Sequence, residues 1–141
     1  MFRRFACIFL CLSLLPLSAA RAEDPVANAQ EVISEQISAF LADDAEAAYA
    51  FASPGMRSGF PDKQRFLDMV RERYAPVYRA TKYAFGRSKL VGGGELVLQE
   101  VMISAQEGPD WSAIYEMRLM DDGSYKVNGV RMIRSSTSRG I

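Results

Sequence analysis

The sequence contains no histidine. That removes the usual base near neutral pH, together with any Ser-His-Asp or Cys-His arrangement. The two cysteines, Cys7 and Cys11, lie in the first stretch of the chain. Neither follows the Leu-Ser/Ala-Gly/Ala pattern of a lipoprotein cysteine: Cys7 follows Arg-Phe-Ala and Cys11 follows Ile-Phe-Leu. Beyond them there is no thiol, so a disulfide and a zinc or iron site built on Cys or His are excluded, and no cofactor is expected. Neither asparagine, Asn28 nor Asn128, stands in an Asn-x-Ser/Thr sequence. Gly92-Gly93-Gly94 lacks the Lys-Ser/Thr of a phosphate loop and the spacing of a dinucleotide fingerprint, so it reads as a turn. Asp121-Asp122-Gly123 lacks the spacing of a calcium loop and reads as a hairpin turn, leaving no metal site to name.

What is present begins with a leader. Arg3 and Arg4 precede a short apolar run, Phe5–Leu17, broken by Pro16, and Ala20-Arg21-Ala22 fits a small-x-small cleavage pattern. Residues 1–22 are expected to be a secretory signal peptide cut after Ala22, the alternative being an uncleaved anchor. The run is short for a membrane span, so no stable membrane anchor is expected after cleavage, and the location is periplasmic or secreted. Exported without disulfides, the fold must be held by its core. Cleavage removes three of the 17 basic residues, Arg3, Arg4 and Arg21, and leaves the remainder net acidic against 17 acids. No nucleic-acid partner is suggested. The charge is uneven. Glu23 to Glu46 holds seven acids and no base, whereas Arg57 to Lys89 holds nine bases and three acids. Either an acidic helix faces solvent and pairs partly with the basic segment, or a bipolar surface steers a charged partner.

Asp24-Pro25 is a good helix start, and Val26, Ala29, Ile33, Ile37, Phe40 and Leu41 recur at helical spacing after it. Asp43-Asp44 ends that helix and can cap a short second one through Phe51, anchored by Tyr49 and Phe51 and stopped by Ser53-Pro54-Gly55. Met56–Pro61 reads as a connector. A third helix is expected from about Pro61 to Tyr74, with Phe66, Val70 and Tyr74 in one stripe, until Pro76 forces the chain out of helix at Ala75. From there everything reads as sheet. The first strand carries Val77, Arg79, Thr81, Tyr83 and Phe85 on one face, and the second, Leu96–Ala105, carries Val97, Gln99, Val101 and Ile103.

Trp111–Ile133 is the clearest stretch. Trp111, Ala113, Tyr115, Met117 and Leu119 alternate with their neighbours, and Asp122-Gly123 turns into a second strand. There Val130 and Met132 fall out of phase with Tyr125 and Val127. A β-bulge at Asn128-Gly129 would bring them back onto one face and bend the strand. The expected architecture is α+β: three N-terminal helices on a curved four-stranded antiparallel sheet, one domain over residues 23–134, and a polar tail over 135–141. A bent sheet wrapped on helices makes a cone with room for an interior pocket.

This order and the bent last strand resemble the cone-shaped, nuclear transport factor two-like (cystatin-like) superfamily. More specifically, the chain resembles the domain of unknown function 4864 family of proteobacterial exported proteins. The resemblance rests on Gln36, Phe40, Asp44 and Tyr49-Ala50-Phe51-Ala52-Ser53-Pro54. It continues through Phe66, Met69-Val70, Tyr74-Ala75-Pro76-Val77-Tyr78-Arg79, Gln99-Glu100-Val101 and Gly123-Ser124-Tyr125-Lys126-Val127-Asn128-Gly129-Val130. Tyr125 stands where a tryptophan is expected of such a strand. The family carries no established activity, so the resemblance speaks to fold.

Function is read from the inward residues. Gln99 interrupts an apolar face, and Arg79 shares one with Tyr83 and Phe85. Both inside the cone would give a cation and an amide for a carboxylate or other polar head, with Tyr49, Tyr83, Trp111 and Tyr115 lining the pocket. Alternatively, Gln99 bonds neighbouring backbone or a helix end and Arg79 pairs with a helix carboxylate. The expected function is a non-enzymatic exported domain that binds a small molecule or a protein. A second reading is an isomerase or dehydratase using a carboxylate and a tyrosine, as ketosteroid isomerase of the same superfamily does. Glu100 and Glu116 lie on outward faces, so no inward acid is evident. A third reading is a homodimer through the open sheet face, with Leu98, Ile114 and Met120 as outward apolar candidates.

Overall fold

The computed structural model describes residues 24–105 and 107–135. The leader over residues 1–22 and the polar tail beyond Ser135 lie outside the described residues. Among the described residues the architecture is α+β: five α-helices precede a four-stranded antiparallel meander, in the order β1-β2-β3-β4.

Helix α1 spans Pro25–Leu41. The Asp24 carboxylate accepts from the Val26 amide at 3.0 Å, and Pro25 occupies the first turn, where its missing N–H costs nothing. Ala29, Ile33, Gln36, Ile37 and Phe40 form its buried stripe. The helix ends in a Schellman arrangement: the Asp43 amide donates to Phe40 and the Asp44 amide to Ala39, with Asp43 at φ 53°. Asp44 then caps α2, Ala45–Ala50, by accepting from the Ala47 amide. Two adjacent aspartates thus end one helix and begin the next.

Helix α3, Pro54–Gly59, lies where the sequence reads as a connector. Ser53 and Pro54 do stop α2, but they also start this turn, since the Ser53 hydroxyl accepts from the Met56 amide at 3.2 Å. Helix α4, Lys63–Arg73, is capped by Asp62 and buries Phe66, Leu67 and Val70. The sequence expectation fails again at Pro76. Tyr74 breaks α4, and Ala75–Tyr78 forms a short α5 with Pro76 in its first turn. Val77 and Tyr78 are therefore buried helix residues, Arg79 caps that helix, and β1 runs from Tyr83 to Val91 rather than from Val77.

Strands β2 (Leu96–Ile103), β3 (Trp111–Leu119) and β4 (Tyr125–Arg134) complete the sheet. The helices cover one face. On it Val97, Gln99, Val101, Ala113, Tyr115 and Met117 are fully buried. The bulge expected in β4 is present: Glu116 pairs with Gly129 and Met117 with Val127, leaving Asn128 unpaired. Val130 and Met132 accordingly pair with the inward Tyr115 and Ala113. A second bulge lies in β1 between Phe85 and Ser88, opposite Gln99 and Val101.

Gln99 serves that second bulge. Its amide nitrogen lies 3.4 Å from the Gly86 carbonyl, 3.3 Å from that of Arg87 and 2.8 Å from that of Glu100, while its oxygen accepts from Gln30 on α1 at 3.2 Å. A fully buried amide thus satisfies carbonyls that the irregular ladder leaves free. Gln99→Leu should lower stability by about 1–3 kcal/mol, the cost of stranding buried polar groups. Urea unfolding would show a lower midpoint at unchanged slope, with Gln30→Leu milder. The Schellman turn supplies another test. The Tyr78 hydroxyl donates to Asp43, and with Arg79 and Arg71 nearby this holds the carboxyl below its ordinary 3.8. A depressed carboxyl stabilises the fold above its unfolded value, and the effect is lost as pH falls through the folded one. Asp43→Asn keeps a residue tolerant of positive φ, so its Tm should lie below wild type at pH 7, and the gap should close as pH drops below 3.8.

Candidate functional site

The β4 bulge changes the spacing of inward side chains. Val127 and Val130 both face the helices, but they are three residues apart instead of two. The intervening Asn128 points elsewhere: it accepts from the Ser53 hydroxyl at 2.8 Å and donates to Glu116 at 3.0 Å. Gly129 has no side chain. The inner face of β4 is therefore bare for about one residue's length, roughly 3 Å.

A cavity of about 270 Å³ lies there. Its sheet wall is Tyr115, Val127, Gly129 and Val130. Gln36 and Phe40 close it from α1, Met56 and Phe60 from α3 and its end, and Phe66, Met69, Val70 and Arg73 from α4. Tyr74 and Val77 complete the lining. The ring system is continuous: Phe66 lies 6.4 Å from Phe40 and 6.4 Å from Phe60, edge to face with the latter. Two methionines add adaptable surface, since an unbranched thioether fits many shapes. Two roomier depressions, about 550 and 530 Å³, lie at the strand ends near Trp111. Ile103 is the one buried residue in the lining of each, whereas the smaller cavity reaches into the core, so the smaller cavity is the better ligand site.

The polar groups of this cavity are few. Tyr115 is fully buried, and its hydroxyl has no hydrogen-bond partner among the described residues. Burial, with a smaller contribution from Tyr83, pushes its ionisation well above the ordinary 10.0, so it stays a neutral phenol. Gln36 has its amide nitrogen engaged by the Ala48 carbonyl at 3.1 Å. Arg73 is exposed in the last turn of α4 and stands at the mouth. Among the described residues no Asp or Glu lines the cavity. The carboxylate–tyrosine pair formed by Asp43, on the half-exposed turn after α1, and the buried Tyr78 of α5 lies outside its lining.

Of the residues singled out from sequence, Tyr115 is the one that lines this cavity. Arg79 lies outside it, because α5 replaces the start of the expected strand. There it stacks 4.6 Å over the Tyr78 ring and pairs with Asp43 at 3.4 Å. Gln99 is inward as expected but occupied by the β1 bulge. Tyr49 donates to the Phe60 carbonyl at 2.8 Å and packs its ring edge-on to Phe66 at 5.5 Å, so it stands behind the lining. Tyr83 lines the roomier depression that Trp111 shares, while Trp111 and Arg79 share the other. Sequence reasoning passed over Arg73, although positions 66, 70 and 73 fall on one helical face and so place it at the end of the buried stripe.

A buried hydroxyl without a partner costs free energy. Tyr115→Phe should therefore leave the ligand-free protein as stable as wild type or more stable by about 1 kcal/mol in chemical denaturation. A loss of more than that would show the hydroxyl to be structurally bonded.

Residues 22–140 match one family model, and no curated protein and no solved structure matches the chain. With that match spanning nearly the full length, the chain belongs to the family described as Domain of unknown function (DUF4864).

Proposed function

We propose that this protein is an exported, non-enzymatic domain that binds a small, largely apolar molecule in the cavity under the β4 bulge. The observation that carries the reading is the cavity itself, walled by apolar and aromatic side chains and reaching into the core, with Tyr115, whose buried hydroxyl has no partner among the described residues, in its lining. Native structures leave such groups unsatisfied rarely, and a water or ligand is the usual remedy. The volume sits at the small end of ligand pockets. The cone arrangement of the nuclear transport factor two-like superfamily accords with helices covering one sheet face and with bulged strands. The leader reading supplies the periplasmic or secreted location.

The isomerase or dehydratase reading needs a carboxylate beside a tyrosine inside the cavity. The lining offers the tyrosine without the acid, which favours binding over catalysis. A homodimer through the outer sheet face is the second reading. Met102 and Ile133 are both more than two-fifths exposed and lie in one row across the sheet, joined by Ser112.

Native mass spectrometry of the protein purified from its own periplasm tests both readings. The expected result is a monomer carrying a co-purifying small molecule that is lost in Val130→Phe, a change that fills the cavity while keeping a residue suited to a strand. A ligand-free dimer would instead support the sheet-face reading.

A further inference from the structure

Resting on the cavity reading above, we infer that the site selects an organic acid: a compact aromatic body inside and a carboxylate at the mouth, held by Arg73. Two arginines stand in the last turn of α4, and they differ in employment. Arg71 is occupied, donating to the Tyr78 hydroxyl at 3.1 Å, lying 5.2 Å over that ring, and pairing with Asp68 at 3.6 Å. Arg73 has no hydrogen bond, ion pair or ring contact among the described residues, although it lines the cavity. A guanidinium at the rim of an apolar cavity, with no carboxylate in the lining to neutralise it, favours an anionic head.

The body follows from the walls. Phe40, Phe60, Phe66, Tyr74 and Tyr115 present aromatic surface from the helices and the sheet. A methylene takes up about the volume of a water, so 270 Å³ admits roughly ten carbons, about a naphthalene ring system. Arg73 is exposed and Tyr115 fully buried, so the two polar groups stand at different depths. The guanidinium meets the carboxylate, and the aromatic walls enclose the body.

The test is calorimetric titration of the whole protein with three probes of one body: 2-naphthoate, its neutral isostere 2-naphthamide, and the cation 2-naphthylmethylamine. The expected order is acid over amide by about tenfold, with the amine weakest, as one charge-assisted bond of about 1.5 kcal/mol implies. Arg73→Gln should erase the acid's advantage, bringing acid and amide to the same affinity. Arg65→Gln on the exposed side of α4 should preserve the advantage, which separates a contact from the general field of the basic segment. Equal binding of acid and amide, or equal losses in the two arginine variants, overturns the acid inference and leaves the cavity reading standing. Failure of all three probes to bind, with Val130→Phe indistinguishable from wild type in ligand content, overturns both.

Discussion

Strand β4 carries one residue more than β3 can pair, and the structure is arranged around that excess. The extra residue is Asn128. Left out of the ladder, its side chain is free to bridge Ser53 and Glu116. Beside it the backbone of β4 exchanges hydrogen bonds with the α2–α3 linker: Ser53 donates to Val127, and Val127 donates to Phe51, each at 2.8 Å. The linker therefore docks on the sheet at the bulge, and Ser53 is at once the cap of α3 and a partner of the bulge. The cavity follows from the same excess, because the strand that anchors α3 also withholds a side chain from the inner face at Gly129.

A bulge in β1 is handled differently. There the Gln99 amide nitrogen reaches the Gly86 and Arg87 carbonyls of the bulge while α1 holds its oxygen through Gln30. One irregularity is sealed by a buried side chain, and the other is left open beside Tyr115, whose buried hydroxyl has no partner among the described residues. That contrast explains why the two inward polar residues of neighbouring strands, Gln99 and Tyr115, have different standing. The first is spent on the fold, and the second has hydrogen-bonding capacity in reserve.

The candidate site was legible in kind but not in place. Two readings of Arg79 and Gln99 stand open in the sequence, a cation and an amide inside an aromatic cone or side chains spent on a helix carboxylate and on backbone, and the structure bears out the second. The assignment of Arg79 to the cone followed from treating Pro76 only as a helix breaker. Proline is as much a first-turn residue, since the N–H it lacks has no partner there. Once Ala75–Tyr78 is helical, Arg79 moves to the surface with Asp43. The same double meaning of proline hid α3, where Ser53-Pro54 both stops and starts a helix. The arginine at the cavity mouth is instead Arg73, on a helix the sequence did show, at a spacing that was readable.

What the sequence determined by itself is local and periodic. Asp24 and Asp44 cap their helices because a short carboxylate satisfies free first-turn amides. The Trp111–Ile133 hairpin and its bulge followed from alternation and from the phase slip at Asn128-Gly129, which only an extra residue repairs. The tertiary structure decided whatever depends on elements distant in the chain. It settled that Gln99 meets Gln30 and the β1 carbonyls, that the Tyr115 hydroxyl meets no partner among the described residues, and that Arg73 rather than Arg79 lines the cavity that reaches into the core. The reason is that hydrogen-bond satisfaction and enclosed volume belong to groups brought together from α1, α3, α4 and β4. No single stretch of the chain carries information about what the others leave empty.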